Sequence, residues 1–305
     1  VSLTGVLCVA LLFAFYRPRL GAAVSAGLGV FVWLNPLFQQ FSTQILSDVP
    51  GAALVFAALL IDRAARRRPS LARHALLGLC IAAGLYVRSV CTLLVPAVLL
   101  ARLAQRLVTN RSEAARAAWR TCWPVLAIPV LAWLPWSLRN ARADVPAPPE
   151  HVFLHSYSAA IWRENPAFPD SRRLGPGEIL ARVPKRLGEM LPLLGGGYRE
   201  DVAPPRGLAL ALAAATVACA TAVLVRRRNP AEFLFGGVLL ALAIYFAFKP
   251  RLALMLFLLG PPAVCEVVLW LARPRPRLAL STADAQVGRN GSSSESRTPR
   301  TKMVL

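Results

Sequence analysis

Two long apolar stretches in the C-terminal part of the chain decide its fold class. They are Gly207–Val225, GLALALAAATVACATAVLV, and Leu252–Leu271, LALMLFLLGPPAVCEVVLWL. Each is close to the roughly 20 residues that an α-helix needs to cross the hydrocarbon core of a bilayer. Similar runs occur from the first residue onward. A soluble domain can bury one such helix in its core but not eight, so the sequence predicts an all-α membrane protein.

The composition of the chain agrees with this fold class. Apolar residues make up 56% of the 305 residues and charged residues only 16%, and the mean hydropathy is +0.52. Soluble domains carry about 25% charged residues and about 45–50% apolar ones. The six cysteines lie in or beside apolar segments and form no C-x-x-C pair. This pattern indicates buried structural thiols, and neither a zinc site nor a disulfide framework.

The formal net charge of +20 could indicate binding to nucleic acid. The basic residues, however, form short clusters between apolar runs, without the interleaved aromatic side chains on which bases stack. Basic residues that flank spans follow the positive-inside rule and mark the cytoplasmic side. We therefore exclude nucleic acid as a partner. The predicted cytoplasmic clusters are Arg17–Arg19, Arg63–His74, Arg102–Arg120, Arg226–Arg228 and Arg273–Arg277.

With these clusters on one side, the apolar segments predict a polytopic bundle of about 8–9 transmembrane helices. Two segments, Ala75–Val87 and Val90–Leu103, are short for full spans. One long kinked helix is the alternative, but it would invert every later span and split the basic clusters across the membrane. We predict two helices, with Arg88 and Ser89 at the turn. The other segments are Val1–Tyr16, Leu20–Phe38, Pro50–Ile61, Thr121–Trp136, Gly207–Val225, Ala231–Phe248 and Leu252–Leu271.

The same pattern divides the chain into four regions. An outer-face (periplasmic or extracellular) loop region separates two sets of transmembrane helices, and a Ser/Arg-rich composition predicts a disordered cytoplasmic tail. In the loop region, apolar residues recur at helical spacing between Ile179 and Leu191, which predicts an amphipathic helix in the membrane interface, kinked near Pro184 and ended by Gly195–Gly197. A small soluble cap is the alternative. The regions are 1–136 (N-terminal helices), 137–206 (loop), 207–272 (C-terminal helices) and 273–305 (tail).

Several polar residues converge at the outer ends of the predicted spans. One carboxylate among several cations at a lipid–water boundary suits a lipid-linked phosphate. Guanidinium groups bind phosphate bidentately, lysine binds it as a point charge, and an aspartate can accept the proton of an attacking hydroxyl. The alternatives are that the aspartate caps the helix that begins at Pro50, and that the arginines snorkel to headgroups. The residues are Asp48, Arg88, Arg139, Asn140, Lys249 and Arg251.

Other kinds of site are not indicated. The three histidines lack metal-ligand spacing with acids or cysteines, and the chain has no G-x-S-x-G, phosphate-loop or dinucleotide fingerprint. No cofactor is assigned from the sequence. Whether the protein uses a divalent metal is left open by the sequence.

Three stretches resemble the polytopic glycosyltransferases of the GT-C superfamily, in the branch of protein O-mannosyltransferases and lipid A aminoarabinose transferases. Asn35–Leu60 is similar to that family's outer-loop segment, in which an acidic residue shortly precedes a proline that opens a span. Gly78–Leu100 resembles its short helix pair with a basic tip, and Trp133–Asn140, WLPWSLRN, resembles its Pro-Trp-x-x-Arg-Asn span end. Lys249–Pro261 is a looser match to a late Arg-Tyr…Pro motif, with Leu252 in place of tyrosine. The likeness covers residues 20–272.

The resemblance implies sugar transfer at the outer face of the cell inner (plasma) membrane. The donor would be a polyprenyl-phosphate-linked sugar and the acceptor a lipid, glycan or protein. Asp48 would take the acceptor's proton in one inverting step. The leaving phosphate would be stabilised by Arg88, Arg139, Asn140, Lys249 and Arg251. Enzymes of this family usually carry a catalytic acid in their first outer loop, and we expect this chain to begin after that loop.

Two other functions compete with this interpretation. A transporter or flippase for lipid-linked sugars should show internal repeats and broken helices that meet at the bilayer midplane, and the sequence shows no repeat. A non-catalytic membrane scaffold would not need Asp48 and the cations to converge. The sequence therefore favours the glycosyltransferase.

Overall fold

The computed structural model describes residues 3–43, 47–108, 122–142, 161–165, 168, 171–195, 204–244 and 254–273. Val1–Leu269 form one compact unit, and residues 270–273 are the described part of a second unit, Trp270–Leu305. Over these ranges the regular structure is helical apart from one isolated bridge between Arg163 and Arg173. The all-α prediction is confirmed.

The described helices are named in chain order. They are α1 (Leu3–Leu20), α2 (Ala22–Leu34), α3 (Pro36–Thr43), α4 (Asp48–Arg67), α5 (Leu71–Val87), a 3₁₀ turn (Ser89–Leu93), α6 (Leu94–Val108), α7 (Pro124–Arg142), α8 (Pro176–Gly195), α9 (Arg206–Arg227), α10 (Pro230–Ile244) and α11 (Leu254–Ala272).

Four of these segments are long and apolar enough to cross a membrane: α1, the 3₁₀ turn together with α6, α9 and α11. The pair α2 and α3, bent by 67°, makes a fifth if the two count as one broken span. α5, α7 and α10 are apolar but shorter. These helices indicate a membrane protein. They support four to five spans by length and composition, so the predicted count of eight or nine is not confirmed.

The sequence predicted one span over Leu20–Phe38, but the structure divides it at Asn35. The side-chain Oδ1 of Asn35 accepts hydrogen bonds from the backbone N–H groups of Leu37 at 3.0 Å and Phe38 at 3.2 Å. Pro36, which has no N–H, fits the first position of the new helix. Asn35 therefore caps α3 and lets the chain change direction after α2.

Contacts at a constant sequence separation fix the direction of the helices around α4. Asp48 pairs with Arg88, the Cys91 Sγ lies 3.9 Å from the carbonyl oxygen of Gly51, and Asp62 pairs with Arg102. The partner lies 40 residues later each time. A constant separation means that α4 and α6 run parallel. Because α5 connects them and packs along α4, it runs antiparallel to both. The predicted pair of helices with its turn at Arg88 is confirmed.

α5 and α7 run parallel by the same criterion. A Cβ at Gly78 would lie 2.5 Å from the carbonyl oxygen of Pro124, and the Tyr86 hydroxyl donates a hydrogen bond to the carbonyl oxygen of Ala132, 46 residues away. Gly78 is therefore required for the close approach of the two helices. Since α5 leads to Arg88, α7 ends at the same end of the bundle.

The other end of the bundle joins four helices through buried charges. Arg19 of α1 lies 2.5 Å from Glu232 of α10 and 2.6 Å from Glu266 of α11. Arg227 of α9 contacts the second oxygen of Glu266 at 2.7 Å. The carboxylates are buried, and the ion pairs compensate the desolvation that burial imposes on them.

α4 and α6 reach the same end. Arg66 Nη1 donates a hydrogen bond to Asn229 Oδ1 at 2.5 Å, and Gln105 Nε2 donates one to the carbonyl oxygen of Arg228 at 3.0 Å. Both acceptors lie in the turn between α9 and α10. Residues from four of the predicted cytoplasmic clusters therefore meet at one end of the bundle. This is what the prediction that these clusters lie on one side of the membrane requires.

The helix predicted in the loop region is present as α8, continuous through Pro184 and Pro192 to Gly195. At its start, Glu178 accepts a hydrogen bond from the backbone N–H of Gly175 at 2.8 Å, which together with Arg172 lowers the pKa of the Glu178 carboxyl below its ordinary value. α8 packs against α9 and α10. Its location in the membrane interface stays a prediction.

We predict that cysteines at Ser89 and Arg68 react from opposite sides of the membrane. Both positions are exposed, Ser89 beside the tip of the α5–α6 hairpin and Arg68 in the turn before α5. In a background without the six native cysteines, Ser89→Cys should react with an impermeant maleimide in intact cells, and Arg68→Cys only after permeabilisation. Equal labelling of both from one side would contradict the hairpin, and reversed labelling would contradict the predicted orientation.

Candidate functional site

Two of the predicted site residues, Asp48 and Arg88, form an ion pair. Arg88 Nη2 lies 2.7 Å from Asp48 Oδ1. Asp48 is the first residue of α4, and Arg88 follows the last residue of α5. The pair therefore joins the start of one helix to the end of the other at the tip of the hairpin.

The two side chains differ in accessibility. The Asp48 side chain is 2% exposed and the Arg88 side chain 12%. The Arg88 Nη2 that faces Asp48 is itself buried, and the rest of the Arg88 side chain is more accessible than the carboxylate. The arrangement is that of a partly exposed cation held in place by a buried anion.

Gly51 provides the space that this pair needs. It lies one helical turn after Asp48 and therefore on the same face of α4. A Cβ at Gly51 would lie 2.9 Å from Arg88 Cβ, closer than carbon atoms approach without displacement. On α5, a Cβ at Gly84 would lie 3.1 Å from both Cβ and Sγ of Cys91. Neither glycine was predicted from the sequence, although the i, i+3 spacing of Asp48 and Gly51 was a signal for the first.

The backbone at Arg88 is held on both sides. Its N–H donates to the carbonyl oxygen of Gly84 at 2.8 Å, and its own carbonyl oxygen accepts from the N–H of Cys91 at 3.0 Å. The residue is extended, with φ −153° and ψ 129°, between α5 and the 3₁₀ turn. The position of the guanidinium is therefore fixed by the main chain as well as by Asp48.

Asp48 also lies where a helix favours a negative charge. The alternative role, in which it caps a helix beginning at Pro50, needs adjustment, because α4 already includes Asp48. The residue at the capping position is Ser47, whose side chain makes no capping hydrogen bond. A carboxylate in the first turn is stabilised by the helix dipole. Asp48 thus stabilises the start of α4 while it pairs with Arg88.

Of the four remaining predicted residues, Arg139 is the one whose side chain the structure describes. Arg139 lies in the last turn of α7, exposed, at the end of the bundle where the Asp48–Arg88 pair lies. Asn140 is the next residue of α7, and its side chain lies outside the described part of the structure. Lys249 and Arg251 also lie outside the described residues. Their part in the site stays a prediction.

No metal centre is seen in the parts of the chain that the structure describes, since no three His, Cys, Asp or Glu side chains there are grouped closely enough to hold an ion. Comparison with known proteins adds no assignment: no family model, no curated protein and no solved structure matches the chain. The function is therefore argued from the residues themselves.

We predict that Gly51→Ala destabilises the protein although alanine is the better helix former. The added Cβ displaces Arg88, and overpacking of this kind costs about 1–3 kcal/mol. The matched control is Gly236→Ala in α10, where a Cβ meets nothing within 4 Å and the gain in helix propensity is up to about 1 kcal/mol. Thermal unfolding in detergent should show a lower Tm for Gly51→Ala and an equal or higher Tm for Gly236→Ala. Equal stability of the two variants would contradict the close contact.

Proposed function

We propose that this chain is a multi-pass glycosyltransferase of the cell inner (plasma) membrane that uses a polyprenyl-phosphate sugar donor. The acceptor would be a lipid, glycan or protein at the outer face. The observation that carries the proposal is the Asp48–Arg88 pair, a buried carboxylate behind a partly exposed guanidinium. In this proposal the shorter apolar helices and α4 also cross the membrane, giving about 8–9 spans, and α8 lies in the interface.

Arg88 is proposed to bind the phosphate of the donor. A guanidinium offers five N–H donors in a planar fork, and the contact with Asp48 engages Nη2. Phosphate can accept from the others, in the bidentate geometry that arginine favours. Because the main chain and Asp48 hold Arg88 before a ligand arrives, little reorganisation is needed when negative charge develops on the leaving phosphate.

The burial of Asp48 favours a role in holding Arg88 over a role as proton acceptor. In the proposed reaction the acceptor oxygen forms a bond to the anomeric carbon, and the bond from that carbon to the phosphate oxygen breaks. The phosphate leaves with the bonding electrons, and the proton of the acceptor hydroxyl passes to water or to the leaving phosphate. Asp48, at 2% exposure and in contact with Arg88, is poorly accessible to an acceptor hydroxyl. Asp48 is therefore proposed as a positioning residue.

Arg139 is the best candidate for a second phosphate contact. It is exposed at the end of α7, which runs parallel to α5 and ends on the side of the bundle where Arg88 lies. Lys249 and Arg251 are proposed to complete the cationic surface, on the resemblance alone. Two or more guanidinium groups around one phosphate would distinguish the phosphorylated lipid from its free alcohol.

We predict that the protein distinguishes polyprenyl phosphate from polyprenol through Arg88. In nanodiscs, the doubly neutral variant Asp48→Asn/Arg88→Gln should bind polyprenyl phosphate about 10- to 150-fold more weakly than wild type, corresponding to about 1.5–3 kcal/mol for a hydrogen bond to a charged group. Arg139→Ala should show a loss in the same range. Binding of polyprenol should not change in either variant.

The double substitution is chosen because Arg88→Gln alone would remove the arginine that pairs with a buried carboxylate, at a cost of about 3–5 kcal/mol in stability. Arg172→Gln serves as the control, since Arg172 is 63% exposed and lies in the loop region. Equal affinity of the wild-type protein for the phosphate and the alcohol would contradict the proposal. So would unchanged phosphate binding by the double variant.

A further inference from the structure

The end of the bundle opposite the Asp48–Arg88 pair contains a cavity of about 330 Å³ whose polar lining is almost entirely arginine. The arginines come from three helices: Arg19 of α1, three residues of the last turns of α4, and Arg227 of α9. Asn229 is the other polar residue among the described residues that line the cavity, and no carboxylate of the described ranges contributes to the wall. The three residues of α4 are Arg63, Arg66 and Arg67.

The carboxylates of this end lie behind the arginines, and there are too few of them to balance the charge. Glu232 and Glu266 are buried against Arg19 and Arg227. Asp62 is buried between Arg66 and Arg102.

Three carboxylates thus form ion pairs with four arginines. Arg63 and Arg67 add two further charges, and neither forms an ion pair with a carboxylate in the described ranges. The cluster of six arginines and three acids keeps a formal excess of three positive charges.

Two of the arginines are held in place by other groups of the protein. Arg63 donates a hydrogen bond to the carbonyl oxygen of Phe15 and lies 5.0 Å from the centre of its ring. The Arg19 side chain is 8% exposed and is held by Glu232 and Glu266. Its Nη1 atom is nevertheless buried without a hydrogen-bond partner among the residues that are described. A buried N–H donor of a charged group without an acceptor is unfavourable, and an anion in the cavity would supply the acceptor.

We propose that this arginine cavity binds a phosphate monoester group, at a second site separate from the one at Asp48 and Arg88. Planar guanidinium groups on several sides suit the tetrahedral oxygens of phosphate. The volume is at the lower end of the roughly 300–1,000 Å³ typical of small-molecule sites, which fits a phosphate and its ester link better than a large molecule. The group can belong to an anionic phospholipid headgroup or to a soluble phosphate compound. The proposal does not depend on sugar transfer.

The competing explanation is that the arginines serve only the ends of their helices. α1, α4 and α9 all end here, and cations stabilise the partial negative charge of helix C-termini. Arginines at such ends also interact diffusely with anionic headgroups. These effects predict binding that does not saturate and that depends on total charge. A cavity of defined shape predicts saturable binding that depends on which arginines are removed.

The test uses the whole protein in phosphatidylcholine nanodiscs with two probes. One probe is inorganic phosphate, titrated at constant ionic strength. The other is phosphatidic acid added to the bilayer, with bound lipids counted by native mass spectrometry. The cavity variant is Arg63→Gln/Arg67→Gln, which leaves no buried carboxylate without its arginine. The matched control is Arg17→Gln/Arg68→Gln, which removes two exposed charges from the same helix ends outside the cavity lining.

We expect saturable binding of one probe, weakened at least about tenfold in the cavity variant, as for the loss of one charge-assisted hydrogen bond, and changed less than about threefold in the control. Arg63→Lys/Arg67→Lys should bind with intermediate affinity, because charge is kept and the bidentate fork is lost. Saturation by phosphatidic acid alone identifies a lipid headgroup, and saturation by inorganic phosphate identifies a soluble ligand. The proposal would be overturned if neither probe bound saturably. It would also be overturned if the cavity variant and the control variant lost binding equally while their Tm stayed unchanged.

Discussion

α4 carries a buried carboxylate near each end, and each is held by an arginine of the α5–α6 hairpin. Asp48 pairs with Arg88 and Asp62 with Arg102. The two aspartates lie roughly 21 Å apart along the helix, at 1.5 Å per residue. A charge left unpaired in an apolar interior is strongly unfavourable, so a shift of the hairpin by one residue would break both pairs at once. These two contacts therefore fix the register of three helices.

The two ends of α4 use charge differently. At the hairpin tip one carboxylate pairs with one guanidinium, and the packing is tight enough that a Cβ at Gly51 would press on Arg88 and a Cβ at Gly84 on Cys91. At the other end a network of acids and arginines joins α1, α4, α6, α9, α10 and α11. There the arginines outnumber the acids and surround a cavity. The first end therefore presents one well-oriented cation. The second end presents several cations that could surround one anion.

The helices and their connections could be predicted because apolar runs and basic clusters are local features of the sequence. The turn at Arg88 followed from the requirement that the basic clusters share one side, and the same argument placed Asp48 and Arg88 at one end. The break at Asn35 was missed because apolar residues continue across it, although an Asn-Pro dipeptide is a recognisable start of a helix. The predicted number of spans is not confirmed, because several of the apolar helices are shorter than the length that identifies a bilayer crossing.

The charge network at the other end could not be predicted from spacing. Glu266 is the one charged residue of the apolar stretch 252–271, yet its partner Arg19 lies 247 residues earlier in the chain. Only the three-dimensional arrangement of the helices brings the two side chains together. The tight contact of Gly51 with Arg88 is likewise a property of two packed helices and not of either sequence segment. Lys249, Arg251 and the side chain of Asn140 stay predictions from the sequence.

The central claim is that the guanidinium at the hairpin tip acts on the phosphate of a sugar donor. The most direct measurement is sugar transfer from a labelled polyprenyl-phosphate donor in membranes that contain equal amounts of each protein. The account predicts transfer by the wild-type protein and a loss of about 10²–10³-fold in Asp48→Asn/Arg88→Gln, the effect of removing one preorganised donor. Asp48→Asn alone should lose part of the activity, because an amide keeps the shape of the side chain and an oxygen that can accept from Arg88, but carries no charge. No transfer by the wild-type protein, or full activity of the double variant, would contradict the account.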